Sequence, residues 1–285
     1  MKIVVTGAAG LLGAHLLPVL AEHEVHALSR TPLEGAGPHV VPHSFDLEQR
    51  PDWDALPLDI DAVIYLAQSP HFRLFPERAA DVFAVNAGEV VRAVDYARRA
   101  GAKRFIFTST GGVYRPSPAP LREEDPTGST GELGFYVTTK LCAESVLMDY
   151  AKHLDVTILR PFFIYGAGQK RDMLMPRLAD RIRKGEPVML QGEDGLAANP
   201  VHASDAAQAV AAALGLSGSH VVNVAGPEVL SLRAIAETIG QRLGVAPRFE
   251  SAGGTAPSSV ADIARMTSLL WEPRARFAER VGEIL

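Results

Sequence analysis

An α/β fold, a doubly wound parallel sheet followed by a smaller C-terminal lobe, is what this sequence predicts, on three observations. Short apolar runs alternate with longer stretches of helical spacing through the first 160 residues. Strands buried on both faces read as such runs, and their alternation with helices implies parallel pairing. A glycine-rich turn separates the first run from the first helix. Beyond Arg160-Pro161 the alternation gives way to loops rich in Gly and Pro, which marks a change of organisation. The expected division is a large domain over 1–160 and a smaller lobe over 161–285, some of whose segments can return to the sheet.

In chain order, the apolar runs 3–5, 24–28, 40–45, 62–67, 104–109 and 156–159 are the expected strands. Between them, 10–21 opens on glycines, 77–100 carries apolar residues at helical spacing, and 136–153 starts after the loop-forming glycines 131 and 134; these are the expected helices. The second lobe is expected to hold helices at 174–184, 205–214 and 232–243. The polar, Pro-rich and acidic stretch 116–134 reads as a mobile surface loop.

With 285 residues, 47% of them hydrophobic, the chain can bury a large core. A formal net charge of -5 with Lys and Arg scattered among acids lacks the basic stripe of a nucleic-acid binder. Cys142 is the sole cysteine, which excludes an internal disulfide and a cysteine-rich metal site; inside the helix 136–153 it is expected to be a small buried hydrophobe. Met1-Lys2 runs directly into Ile3-Val4-Val5 with no charged leader, and no run approaches the ~20 apolar residues of a membrane span. The expectation is a cytoplasmic protein without membrane, nucleic-acid or metal partners.

The first strand ends in Thr6-Gly7-Ala8-Ala9-Gly10-Leu11-Leu12-Gly13. Glycine is needed where a chain turns tightly, where backbone approaches a pyrophosphate and where helix meets strand, while N–H groups at the helix start face the anion. The turn therefore marks a dinucleotide site of the Rossmann kind, with contacts expected from Gly7, Ala9, Gly10, Leu11, Leu12 and Gly13. After the second strand, where an acid holds the ribose 2′-hydroxyl of NAD, the sequence has Ser29-Arg30. A hydroxyl and a planar guanidinium suit a 2′-phosphate, so NADP is the first choice and NAD the second. Asp46, with Leu47 beside it, is placed to meet the adenine or to cap the turn before Glu48.

Tyr136-Val137-Thr138-Thr139-Lys140 puts a Tyr and a Lys at i and i+4, on one helix face. An adjacent ammonium stabilises a phenolate and brings a group of ordinary pKa near 10 into range for proton transfer. Upstream, Thr108-Ser109-Thr110-Gly111-Gly112-Val113-Tyr114 ends a strand in hydroxyls, of which Thr110, with Ser109 behind it, is the candidate to orient a substrate oxygen. In this order the motifs resemble the extended short-chain dehydrogenase/reductases, specifically the nucleotide-sugar epimerase/dehydratase family. Further matches are Asp61-Ala62-Val63-Ile64-Tyr65-Leu66-Ala67, Asn86, Arg160-Pro161-Phe162-Phe163-Ile164-Tyr165-Gly166, Pro200-Val201-His202 with Asp205, and Leu270-Trp271-Glu272-Pro273. The resemblance implies that the first domain holds NAD(P) and the lobe a small-molecule substrate. It also implies that Leu66, Ala67 and Gln68 line the cofactor, that Asn86 supports the crevice, that Phe162 lies near the nicotinamide, and that the helices 77–100 and 136–153 form a homodimer as a four-helix bundle. Val82, Phe83, Val85, Val90, Val91 and Val94 on the first, and Leu141, Val146, Leu147 and Tyr150 on the second, offer more apolar surface than one sheet-facing stripe needs. His202 is expected to be structural.

The sequence departs from that family's pattern where a diphosphate is held. Phe163 stands where Asn is usual, Ala197-Ala198-Asn199 where an Arg is usual, and no Lys or Arg occurs in 185–232 or 249–264. Arg177, Arg265 and Arg274 are the candidates to compensate. Gly111-Gly112 replaces the acid pair that dehydration requires, so hydride transfer at one carbinol carbon remains. Three readings follow: a sugar or nucleotide-sugar epimerase; an NADP-dependent carbonyl reductase or alcohol dehydrogenase on a smaller, more apolar substrate; and a non-catalytic dinucleotide-sensing module, against which the intact Tyr136 and Lys140 speak.

Overall fold

A computed structural model describes every residue except Glu34, Thr130 and Glu132. The first half runs β1 (Lys2–Thr6), α1 (Leu11–Leu16), β2 (Glu24–Ser29), β3 (Val40–Ser44), β4 (Ala62–Tyr65), α2 (Ala79–Phe83), α3 (Glu89–Arg99), β5 (Arg104–Thr108), α4 (Phe135–Tyr150) and β6 (Asp155–Pro161). The second half adds α5 (Leu174–Arg183), β7 (Val188–Leu190), β8 (Ala197–Ala198), α6 (Ala203–Ala212), β9 (His220–Val224), β10 (Leu230–Ser231) and α7 (Leu232–Leu243). It closes with β11 (Phe249–Ser251), β12 (Ser258–Ser259), α8 (Ala264–Leu269) and α9 (Phe277–Arg280).

The main sheet has seven strands in the order β3-β2-β1-β4-β5-β6-β9, all parallel. Alternate residues of each strand face opposite layers. Val4, Val63, Phe105, Val156 and Ile158 pack against Val90 and Val94 of α3 and Ala143 and Leu147 of α4. Ile3, Val5, Ile64, Ile106 and Leu159 pack against Leu16 of α1 and Ala206, Ala209 and Val210 of α6. A third core joins α5 and α7 to Phe277, Val281 and Ile284 near the C-terminus. Among the described residues no helix is long and apolar enough to cross a membrane.

Several expectations change. The helix 10–21 tightens to a 3₁₀ turn over Leu17–Leu20 with Pro18 at its start, because proline lacks the N–H that an α-helix needs. The helix 77–100 is split by a π turn over Ala84–Gly88. Val82, Val85, Val90, Val94 and Leu147 are all buried, so they serve the chain's own core; the apolar side chains left facing outward are Phe83, Val91 and Met148. Cys142 is exposed instead of buried, since Ala143 and Leu147 take the inward face of α4. The stretch 116–134 is pinned midway, with the Leu121 N–H donating to Val260 O at 2.8 Å and a bridge joining Tyr114 to Thr127; its Thr130 and Glu132 lie outside the described residues. The lobe's β9 supplies the seventh strand.

Candidate active site

The C-terminal ends of β1, β4 and β5 open on one crevice, where ligands of doubly wound sheets sit. Gly7 leaves β1 at φ +69, and a Cβ there would stand 2.9 Å from the Ala67 nitrogen. At Gly13 a Cβ would fall 2.5 Å from Ala8 O, so any side chain would push α1 off the turn. The Thr6 hydroxyl accepts from the Ala67 N–H at 3.2 Å, locking the turn to the end of β4. No side chain caps α1 and its first turn has no acid, which leaves the helix start open to an anion. Ala8 N donates to Leu28 O at 3.3 Å, bringing the end of β2 alongside.

At that end the expected ribose contacts divide. The buried Ser29 donates its hydroxyl to Thr31 O at 2.6 Å, which spends it on the local turn. Arg30 is exposed. Asp46 accepts from the Glu48 N–H at 3.1 Å and caps the 3₁₀ turn Leu47–Gln49, where Leu47 is buried. Asn86 is fully buried: its carbonyl accepts from Ser69 N at 2.9 Å and its amide donates to the Thr139 hydroxyl at 3.1 Å. It ties the loop after β4 to α4, and the π turn that carries it aims it there, a common use of such turns near functional sites.

Tyr136 begins α4. Its hydroxyl donates to Gln68 Oε1 at 3.1 Å, and its ring lies 5.3 Å from that of Phe72. Burial pushes the hydroxyl up to about 12, against a hydrogen bond with Thr110. Thr110 ends β5's extension and accepts from Gly112 N at 3.2 Å. Lys140 is 1% exposed, donates to Thr108 O at 2.9 Å and sits 4.8 Å from the Phe107 ring centre. Burial pulls it down to about 7, with the Glu144 carboxylate opposing. In this arrangement the Lys140 ammonium is directed at the carbonyl of Thr108. Phe162 is buried against Gly111, where a Cβ would lie 2.5 Å from its ring; the glycine makes room for the aromatic wall.

The sequence reading missed Phe72 and the pairing of Arg160 with Glu144. Phe72 belongs to an aromatic loop, Phe72-Arg73-Leu74-Phe75, whose composition was its signal. Arg160 is buried with Glu144, one turn beyond Lys140, at 2.6 Å, and donates to the Tyr114 hydroxyl at 2.8 Å; no spacing rule joins those positions. His202 is fully buried, caps α6 and meets Glu283 at 2.9 Å. Asp205 accepts from Trp271 Nε1 at 2.9 Å and from the Arg274 and Ala275 N–H groups, joining two of the sequence matches in space. Among the described residues no cluster of three His, Cys, Asp or Glu side chains is arranged to hold a metal.

Residues 3–225 match the NAD dependent epimerase/dehydratase family. The chain belongs to this family. Its relatives include a protein of Bacillus subtilis described as the uncharacterized UDP-glucose epimerase YtcB, 26% identical over 95% of this chain and 92% of the relative. Another is the UDP-glucuronate 4-epimerase of Thermodesulfobacterium geofontis, 26% identical over 77% of this chain and 70% of that one. Among solved structures, MoeE5 in complex with UDP-glucuronic acid and NAD superposes with a TM-score of 0.83 at 26% identity, covering 99% of this chain and 97% of MoeE5. UDP-glucuronic acid 4-epimerase from Bacillus cereus, in complex with UDP-glucuronic acid and NAD, gives 0.85 at 25% identity over 100% and 99%. The chain's glycine cradle, with backbone approached from one side and an uncapped helix start on the other, could hold a dinucleotide pyrophosphate.

Proposed function

We propose that this chain carries out reversible hydride transfer at a carbinol carbon of a sugar or sugar-like substrate, with Tyr136 as acid and base and epimerisation as the net result. The observation that carries the reading is the meeting of the Tyr136 hydroxyl with Thr110 and Gln68 at the mouth of the glycine cradle. Gly7, Gly10 and Gly13 with Leu11 and Leu12 would hold the pyrophosphate, Leu66 and Ala67 the adjoining ribose side, and Phe162 the nicotinamide side. When bound, the nicotinamide supplies the two-electron acceptor and donor. Tyr136 takes the substrate's hydroxyl proton and later returns it, while Thr110 fixes the same oxygen. A hydroxyl raised to about 12 is a weak base at neutral pH, so a cation must assist. Lys140, one turn along the same face and held by Thr108 O, is the group in reach.

The cofactor preference proposed is NADP over NAD. Its support is Arg30 alone, since Ser29 is spent on Thr31 and the solved relatives named above hold NAD. A homodimer through the outer faces of α2, α3 and α4 is proposed on the exposure of Phe83, Val91 and Met148. Net reduction or oxidation is the second reading, favoured by the apolar Phe163 beside the nicotinamide wall.

The test is Tyr136→Phe. Turnover, followed by proton NMR of the epimeric product and by absorbance for any net change in the cofactor, is expected to fall by about 10³ or more, with cofactor affinity changed less than about twofold because the rest of the pocket is intact. Near-normal turnover in that variant would falsify the assignment.

A further inference from the structure

Phe163 adopts φ +46, a left-handed backbone that bulky L-residues avoid. It follows Phe162 and borders a cluster made of Val113, Tyr114, Leu121, Phe162, Ala225 and Ala261, with Val137 from the first turn of α4 on the same border. Strain at one aromatic residue is retained where the surroundings impose it, so the place of Phe163 against this cluster is a constraint of the fold. Phe72 borders Tyr136 on another side.

Two of the segments packed around that flank contain no Lys or Arg, and Arg73, which lies over the Phe72 ring at 4.8 Å, is paired with Asp172 at 3.1 Å. Val201, whose N–H donates to Phe162 O at 3.4 Å, and Ala225 come from the stretch 185–232, and Ala261 and Ile263 from 249–264; neither stretch contains Lys or Arg. Asn199, the nearby amide, is closed on itself: it donates to Ala261 O at 3.0 Å and accepts from Ala261 N at 2.9 Å. Three neighbouring guanidiniums are already paired with acids. Arg160 pairs with Glu144, Arg265 with Glu123 and Glu124, and Arg122 with Asp262 at 3.3 Å. Arg274 lies over the Trp271 ring at 5.2 Å. Arg177 is exposed on α5, where water competes for any anion it meets. A cavity of about 510 Å³ near Leu121 sets Arg115 and Arg122 against Asp125 and Asp262, so its charges balance.

A diphosphate needs charge-assisted donors when it leaves water. We infer that the substrate presented to Tyr136 carries no diphosphate and is an uncharged hydroxy compound whose apolar flank rests on Phe163 and Phe72. The inference rests on the hydride-transfer reading only in placing the substrate beside Tyr136. It departs from the UDP-sugars named for the relatives.

The experiment is calorimetric titration of the cofactor-saturated protein with UDP and with UDP-glucose, alongside conversion of methyl glucoside, myo-inositol and UDP-glucose read by proton NMR of the product and by cofactor absorbance. A dissociation constant weaker than about 100 μM for both nucleotides, with an uncharged probe converted and UDP-glucose not, is expected. A tighter constant for either nucleotide, or conversion of UDP-glucose alone, overturns the inference. Phe163→Asn, whose new residue tolerates the left-handed backbone, is expected to raise KM for the uncharged substrate at least about tenfold with cofactor affinity unchanged; an unchanged KM removes Phe163 from the site. Tyr136→Phe separates the two readings: activity that survives it on an uncharged probe sinks the acid/base assignment and leaves the substrate inference standing. Tight UDP binding with an inactive Tyr136→Phe does the reverse.

Discussion

Lys140 was legible in the sequence as a partner of Tyr136, but its environment was not. Nothing in a spacing of four residues tells that the ammonium lies 1% exposed against Thr108 O. That burial has a consequence for stability. Unfolded, the lysine keeps its proton to its ordinary value of 10.5; folded, it releases it near about 7. Between those values the unfolded chain binds more protons, so raising the pH favours the fold. Tm is expected to rise between about pH 7 and 9, and Lys140→Met to flatten that rise, as differential scanning calorimetry across the range would show; an equal slope in both proteins excludes Lys140 as its source. Arg30 is the second residue whose meaning is chemical. If it meets a 2′-phosphate, NADP binds more tightly than NAD and Arg30→Asp reverses the order. Titration of both cofactors against both proteins decides this, and an NAD preference in the unaltered chain sinks it.

Helix α4 holds the site together. Its first turn carries Tyr136, its second Lys140, and its third Glu144, which is locked to Arg160 of β6. The pair is buried on both sides, and removing one partner of such a pair leaves an uncompensated charge at a cost of about 3–5 kcal/mol. Glu144→Ala is therefore expected to lower Tm by on the order of 10 °C, and adding Arg160→Met to recover part of the loss. Thermal melts of the single and double variants measure it, and additive losses would mean that the pair is not coupled. Most elements could be read from pattern because two-sided burial makes β1, β4, β5 and β6 near-continuous apolar runs. The strand β9 could not: His220-Val221-Val222-Asn223-Val224 carries an Asn at its fourth position. Asn223 is satisfied there only by partners distant in sequence, Tyr114, Leu121 and Glu123. The π turn in the helix 77–100 was equally invisible, since it is stabilised by what Asn86 reaches on α4 and in the loop after β4.

Across the whole molecule, the second half is fastened to the first by β9 in the sheet, by α6 on α1, and by Asp205 and His202, which gather the C-terminal segment. The outer faces of α3 and α4 remain, and there the dimer proposal has to be tested on the residues that do face outward. Val91→Glu with Met148→Glu is expected to convert a dimer to a folded monomer in light-scattering chromatography, with an unchanged circular dichroism spectrum. A wild-type monomer at micromolar concentration refutes the bundle. The fold class, the glycine-rich turn after β1 and the shared helix face of Tyr136 and Lys140 are legible from the residues alone. Each of these rests on contacts between residues close along the chain, or on a period set by local backbone geometry. Packing of the folded chain sets which valines of α3 face the sheet, where the Lys140 ammonium is directed, how Arg160 meets Glu144, and which guanidiniums are already matched by acids. Those outcomes depend on burial and on partners far apart in the chain, where the cost of an unpaired charge in the interior, and not local spacing, selects the arrangement.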